Sequence, residues 1–392
     1  MKQKKNPKKI KIAILFHKYS PENEGISVSI KRLAHNLPSN FEVHIISGQN
    51  TKSKLELLQG YVKTTKEKGV FIHYFPFDNS FDSERYGWSL DNFLNAIKTL
   101  HTKYSFDILH SYYVTPSGYI GTLASKLLNI PCIVSVRGGD IGANIFDTKR
   151  FGWIEWTLNN CDYVTFVNEY LKELAQSIAP ISAKSKVIPN SFFADDVLSN
   201  TKSVTVRNKT NFVLGYIGDI KKRKGFIYLL EALNDLKTNN IHLLVLGSFA
   251  ESEKEIYTKY IKENHLSKII SFHKPLPHER IGDFFEAVDA VILPSIDEGS
   301  PNVLFESMFF AKPIIGTNIS AINQTVNNEI DALLVEPRNP TELKKAILKL
   351  SQQHSLANKL GKNAKAKSQK MLGVKSEVQQ FESIYHPLLK NK

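Results

Sequence analysis

The sequence predicts an α/β chain of two doubly wound domains, each a parallel sheet flanked by helices, and three observations carry that prediction. Short runs rich in β-branched residues alternate with helical patterns over almost the whole length, which is the arithmetic of repeated βαβ units. Several of these runs, Ile10–Phe16 (but for Lys11) and Cys132–Val136 (but for Ser135) among them, are apolar without alternation, as strands covered on both faces must be. The rhythm breaks over Asn190–Asn211, where Ser, Thr, Asn and Lys surround Asp195 and Asp196 without a sustained apolar period. That stretch reads as a linker.

Before the break the predicted strands are Ile10–Phe16, Glu42–Ser47, Val70–Phe75, Ile108–Ser111, Cys132–Val136, Tyr163–Val167 and Lys186–Ile188. Between the first two, Ile30, Leu33, Ala34 and Leu37 fall on one helical face that ends at Pro38, since proline stops a helix. After the break come Phe212–Ile217, Ile241–Leu246, Ile269–Phe272, Ala290–Leu293 and Pro313–Ile315. One helix follows Gly225, with Phe226, Leu229, Leu230, Leu233 and Leu236 on its inner face. Another has Asn339 as N-cap and Pro340 at its first position, with Leu343, Ala346, Ile347 and Leu350 inward. The expected division is a first domain over 1–195 and a linker with a second domain over 196–371. A closing segment, 372–392, carries the amphipathic series Phe381, Ile384, Tyr385 and Leu388.

At 392 residues the chain is too long for one ordinary domain, and 42% hydrophobic with 23% charged residues is enough to fill two cores. No apolar run approaches the ~18–20 residues of a membrane span. The opening MKQKKNPKKIKIAILFHKYS imitates a signal peptide, but IAILF is short and ends at His17 and Lys18 without a small-residue cleavage site. It reads as a basic tail entering a buried strand. Cys132 and Cys161 offer neither a disulfide framework nor metal-ligand spacing, which fits a reducing cytoplasm. The net charge of +13 calls for phosphate-rich substrates, anionic lipid or nucleic acid, or a simply lysine-rich solvated surface. No helix-turn-helix, zinc-finger or RNP pattern accompanies it, so nucleic acid is set aside as a partner.

Two passages carry chemistry. The first, PSIDEGSPNVLFESM (Pro294–Met308), follows the strand Ala290–Leu293 and opens a helix, and ligands of a doubly wound sheet bind at the carboxyl ends of its strands. If Glu298 sits in the loop and Glu306 about a turn into the helix, both carboxylates face one ligand, and the helix start at Gly299, Ser300 and Pro301 suits an anion. A capped helix with two solvated glutamates is the simpler reading of the same letters. The second, GDIKKRKG (Gly218–Gly225), follows the strand Phe212–Ile217 and sets Lys221, Lys222, Arg223 and Lys224 between glycines. Such a loop can lay amides and cations against a diphosphate. It lacks the Gly-Lys-Ser/Thr ending of a Walker A loop and the GxGxxG of a dinucleotide fold.

Taken together, order and spacing resemble family 4 of the retaining nucleotide-sugar glycosyltransferases (glycosyltransferase group 1), in which a G…KG loop precedes a PS…EG.PN…E run. The resemblance extends over nearly the whole chain, through Pro21–Gly25 in the first loop, IVSVRGGD (Ile133–Asp140) and VIPNS (Val187–Ser191). It implies the GT-B fold, two Rossmann-like domains facing across a cleft, with the last helix returning to the first domain. Lys224 would bind the donor diphosphate, with Gly218 and Arg223 in the same loop. Glu306 would hold the ribose, and Glu298 a hydroxyl of the transferred sugar. Ser300, Pro301, Asn302 and Val303 would surround sugar and phosphate, and Gly25 would approach the phosphates from the first domain. Arg137 and Asp140 would complete the site, and the base would rest near Phe272–Leu276.

Three positions depart from the family pattern. Asp219 stands where an arginine is usual, and Glu24 where a second glycine is common. Arg137 replaces the histidine of a His-Gly-x-Asp motif; it can donate two bonds to a sugar or phosphate but cannot act as a base. No Asp-x-Asp occurs, so fixed cations and helix amides rather than a metal would stabilise the leaving diphosphate. The resemblance thus implies metal-independent retaining transfer from a UDP- or GDP-linked sugar, with no cofactor, to a glycan or polyprenyl-linked acceptor in bacterial surface polysaccharide synthesis. The protein would be cytoplasmic and held peripherally at the inner membrane face by Lys2, Lys4, Lys5, Lys8, Lys9 and Lys11. The alternatives are a nucleotide-sugar epimerase of similar fold and a non-catalytic nucleotide-sugar-binding homologue.

Overall fold

In the computed structural model the described residues, 9–19, 25–81, 84–191, 212–277, 280–371 and 373–390, form an eight-stranded and a six-stranded sheet. The chain separates into two units, Met1–Asn190 with Val374–Lys392, and Ser191–Gly373. Most of the linker expected over Asn190–Asn211, the domain bound at 195/196, residue 372, Pro21–Glu24, and Lys2, Lys4, Lys5 and Lys8 lie outside the described residues.

The first unit contains β1 (Ile10–Phe16), β2 (Phe41–Asn50), β3 (Lys63–Glu67), β4 (Val70–Phe77), β5 (Ile108–Tyr112), β6 (Cys132–Val136), β7 (Tyr163–Phe166) and β8 (Ser185–Val187). Their order is β3-β4-β2-β1-β5-β6-β7-β8. All neighbours are parallel except β3 and β4. Central β1 pairs with β2 and β5, and Ile12 to Phe16 are buried, which is why its sequence is apolar without alternation. The chain winds outward from β1, then crosses back to β5, so the winding reverses between β1 and β5. That reversal opens the crevice at which such sheets take ligands.

Edge strand β3, KTTKE, is exposed and has no apolar face to announce it. It exists because Lys68 and Gly69, at φ of 44° and 90°, make a two-residue turn back into β4, the geometry hairpins favour.

The closing helix, Val374–Lys390, packs on this same sheet. Tyr385 and Phe381 are buried against His110 of β5, with the Tyr385 hydroxyl 2.7 Å from His110 Nδ1. Glu377 meets Arg32 of the helix Gly25–Asn36 at 3.0 Å, both buried. A buried ion pair of this kind fixes register more than it stabilises.

The second unit contains β9 (Phe212–Ile217), β10 (Ile241–Leu246), β11 (Ile270–His273), β12 (Ala290–Leu293), β13 (Ile314–Thr317) and β14 (Leu333–Val335). The order β11-β10-β9-β12-β13-β14 is parallel throughout. Three strands keep the predicted bounds to the residue; β14 is too short to show a pattern. Here the winding reverses between β9 and β12, the two strands whose loops carry the basic turn and the Glu298 run. The helix Phe226–Asn234 buries Phe226, Leu229, Leu230 and Leu233. In the helix Pro340–Gln352, Asn339 Oδ1 accepts from the Glu342 N–H at 3.1 Å, a cap that contributes about 0.5–2 kcal/mol.

Candidate functional site

In the second unit the site begins with a backbone contact. After β9 the chain turns through Gly218, at φ 128°, and a single 3-10 turn, Lys222–Lys224, to Gly225 at φ 66°. A Cβ built on Gly225 would stand 1.9 Å from the Pro294 carbonyl oxygen. Only glycine lets the basic turn rest on the chain leaving β12. The two loops are then laced together, because the Ile296 and Asp297 N–H groups donate to the Arg223 carbonyl at 2.8 and 3.3 Å.

This lacing places the side chains. The Lys224 ammonium pairs with Glu298 Oε1, to which the Ser295 hydroxyl also donates at 2.9 Å. Arg223 Nη1 stands 3.3 Å from Glu298 Oε2 and 3.4 Å from the Asp297 carbonyl. The Glu298 side chain is only 7% exposed. Burial alone would raise its pKa, but Lys224 and Arg223 hold it below the usual carboxylate value, so Glu298 is an anion at neutral pH.

Glu306 is the fifth residue of the helix Asn302–Phe309 and is buried, while Pro301 occupies the N-cap position. Ser300, Asn302 and Val303 form the entry to that helix, and Gly218 has open space where a Cβ would stand. Asp219 pairs with Lys221 at 2.7 Å on the surface, so the departure at this position is neutralised locally. The structure thus brings Arg223, Lys224 and Glu298 into one charged cluster. Phe272, proposed to lie near the base, is half-exposed and packs beside Phe249, ring centroids 5.1 Å apart.

Gly25, Arg137 and Asp140 belong to the first unit. Gly25 opens the helix Gly25–Asn36. Arg137 is buried: Nη2 donates to Asn190 Oδ1, and the guanidinium lies 5.0 Å from the Tyr112 ring centroid. Asp140 accepts the N–H groups of Val114 at 3.0 Å, Arg137 at 3.0 Å and Gly138 at 2.8 Å. Both its oxygens are therefore engaged in holding the loop after β6, which reaches φ 140° at Gly138.

At the reversal between β1 and β5 this unit has an open recess of ≈ 200 Å³, lined by His17, Asn79, Phe81, Tyr86, Tyr113 and Arg150 beside Asp140. Sequence reasoning treated His17 only as the end of an apolar run. The signal available was its position, one residue past the carboxyl end of a central strand. Among the described residues no three His, Cys, Asp or Glu side chains gather to hold a metal ion, and no helix is long and apolar enough to cross a membrane.

Comparison with known proteins matches both units. The family described as glycosyl transferases group 1 matches residues 199–367, and Glycosyltransferase Family 4 matches residues 23–192. An uncharacterised glycosyltransferase of Methanocaldococcus jannaschii is 26% identical over 90% of this chain and 92% of its own. UDP-Gal:alpha-D-GlcNAc-diphosphoundecaprenol alpha-1,3-galactosyltransferase of Escherichia coli is 23% identical over 76% of this chain and 80% of its own. Among solved structures, sucrose-phosphate synthase from Thermosynechococcus elongatus superposes with a TM-score of 0.82 at 18% identity, over 98% of this chain and all of that one.

Proposed function

We propose, from the premise that the chain belongs to the family 4 glycosyltransferases of group 1 and has the GT-B fold, that it transfers a sugar from a nucleoside diphosphate to a glycan or lipid-linked acceptor with retention of configuration. The observation that carries this reading is the cluster of Arg223, Lys224 and Glu298 at the reversal between β9 and β12. Two cations beside a buried anion suit a ligand that is anionic at one end and becomes cation-like at the other.

In this reading Lys224, Arg223 and the turn from Gly218 hold the diphosphate. Glu306 accepts from the ribose. Glu298, ionised, accepts from a hydroxyl of the sugar and opposes the positive charge that develops at its anomeric carbon. Ser300, Pro301, Asn302 and Val303 enclose the sugar, while in the first unit Asp140 holds the loop that carries Arg137 rather than touching a ligand. As the bond from the anomeric carbon to the diphosphate oxygen breaks, the acceptor oxygen bonds the same face of that carbon. The acceptor's proton passes to the leaving phosphate. Fixed cations supply the charge that a metal supplies elsewhere, so the reaction is metal-independent and needs no cofactor.

The donor is a UDP- or GDP-linked sugar, in line with the UDP-Gal in the name of the Escherichia coli relative. That relative's diphosphoundecaprenol acceptor also supports a polyprenyl-linked acceptor and a place at the inner membrane face. Binding that depends on anionic lipid in vesicle sedimentation tests the membrane part. The function itself is tested by mixing protein, nucleotide sugar and candidate acceptors. Free nucleoside diphosphate should accumulate only when acceptor is added. Release without acceptor points to an epimerase-like or hydrolytic activity. Binding without release points to the non-catalytic reading that Asp219 and Arg137 favour.

A further inference from the structure

The recess of the first unit is chemically lopsided. Among the described residues that line it the one carboxylate, Asp140, is engaged by three backbone N–H groups and has little left to offer a ligand. His17 and Arg150, which also line the recess, can donate to a ligand.

His17 Nδ1 lies 3.0 Å from Ser117 Oγ, and the same oxygen accepts the His17 backbone N–H at 3.0 Å. We assign the Ser117 hydroxyl hydrogen to Nδ1, the tautomer that leaves the imidazole hydrogen on Nε2. The ring is neutral, because burial first and then Lys18 and Arg150 push its pKa down to about 3. Neutral His17 is therefore a hydrogen-bond donor here and not a base.

Arg150 is the second donor. Its guanidinium lies 3.9 Å from the Phe81 ring centroid, and Nη1 donates to Asn144 Oδ1 at 3.0 Å. Nε, 3.3 Å from Asp147 Oδ2, is buried without a hydrogen-bond partner. Among the described residues Nη2 has no hydrogen-bond partner. Phe81 and Tyr86 form an apolar wall in edge contact at 5.0 Å, backed by Trp153.

We propose that this recess is the acceptor-recognition site and selects an acceptor bearing an anionic group, a phosphate or carboxylate, that Arg150 and His17 grip while a sugar face lies on the aromatic wall. Guanidinium and oxyanion are complementary in geometry as well as charge. Aromatic faces take the apolar side of a ring without needing polar partners. The proposal rests on the glycosyl-transfer reading only in calling the bound molecule an acceptor.

Calorimetry on the full chain with glucose 6-phosphate, glucuronate and glucose as probes tests it. At least one anionic sugar should bind about tenfold or more tightly than glucose, and which of the two does so identifies the anion. Geranyl phosphate against glucose 6-phosphate distinguishes a lipid-borne phosphate from a sugar-borne one. Arg150→Gln should remove the preference and Arg150→Lys keep part of it. His17→Phe, which retains a ring but loses the donor, should weaken the preference several-fold and stands in if Arg150→Gln fails to fold. Lys224→Ala, in the other unit, should leave it unchanged. Equal affinity for all three sugars, a preference that survives Arg150→Gln and His17→Phe, or one lost with Lys224→Ala overturns the proposal. An Arg150-dependent preference in a protein that never releases nucleoside diphosphate would remove the transferase reading and leave this site standing.

Discussion

Lys224 and Glu298, 74 positions apart in sequence, are joined by a direct ammonium–carboxylate contact at the carboxyl ends of β9 and β12. Each partner neutralises the other. In the proposed mechanism a diphosphate competes with Glu298 for the ammonium, and a sugar hydroxyl satisfies the carboxylate so released. Donor binding is thereby coupled, in that reading, to freeing an already ionised carboxylate from its ammonium partner.

Lys224→Ala should weaken nucleoside diphosphate binding far more than nucleoside binding, by about 1.5–3 kcal/mol for a charge-assisted contact. The same change removes the main cation holding Glu298 ionised, so the pKa of Glu298 should rise. Calorimetry with both ligands checks the first effect. Equal losses for nucleoside and nucleoside diphosphate would mean that the basic turn does not touch phosphate.

Gly225→Ala should be destabilising. The left-handed backbone alone costs a non-glycine residue about 1–2 kcal/mol, and the added carbon overlaps the Pro294 carbonyl. Gly87→Ala is the control, since that glycine lies inside the helix Glu84–Tyr104 with open space around it. It should stabilise by about 0.5–1 kcal/mol. Denaturant melts of the two variants should move in opposite directions; parallel shifts would contradict the close approach of the two loops.

Acid should act on the first unit. His110, held between Tyr385 and Ser135 at 2.7 Å each, has its pKa pushed down to about 3 by burial first and then by Arg137. Its folded value lies below its unfolded value of about 6.5. The unfolded chain therefore takes up protons first as pH falls. Stability is full above about pH 6.5 and is lost towards pH 3, by about 1.4 kcal/mol per pH unit for each such histidine. His110→Asn should lower the Tm at pH 7.5 yet flatten its fall towards pH 5. An unaltered slope would show that His110 does not titrate as described.

Turnover should survive excess chelator almost unchanged, because Lys224 and Arg223 supply the charge on which the proposed mechanism depends. A complete loss of rate restored by manganese or magnesium would overturn that arrangement.

Much of this was legible in the sequence. Strands buried on both faces, such as β1, β6 and β12, carry continuous apolar runs, and the helix at Pro340 announces its own cap. Two of the four edge strands were not legible: β3 is polar on both sides, and β14 has three residues. Lys224 and Glu298 could be marked as residues of interest from their motifs. Their pairing could not, because it depends on the Gly225–Pro294 approach and on two hydrogen bonds to one carbonyl. The recess was illegible for a similar reason. His17, Phe81 and Tyr113 come from separate loops and Arg150 from the helix Thr148–Asn160, and only the fold brings them together.

The measurement that tests the central claim most directly compares Glu306→Gln with Glu298→Gln for product-nucleotide affinity, turnover and Tm. If Glu306 holds the ribose, its variant should bind nucleoside diphosphate more weakly. If Glu298 holds the sugar, its variant should keep that affinity and lose turnover, since only the intact donor carries the group it contacts and the contact strengthens as charge develops. Unchanged turnover in both variants, with a lowered Tm alone, would mean that the two carboxylates serve the fold and that the site lies elsewhere.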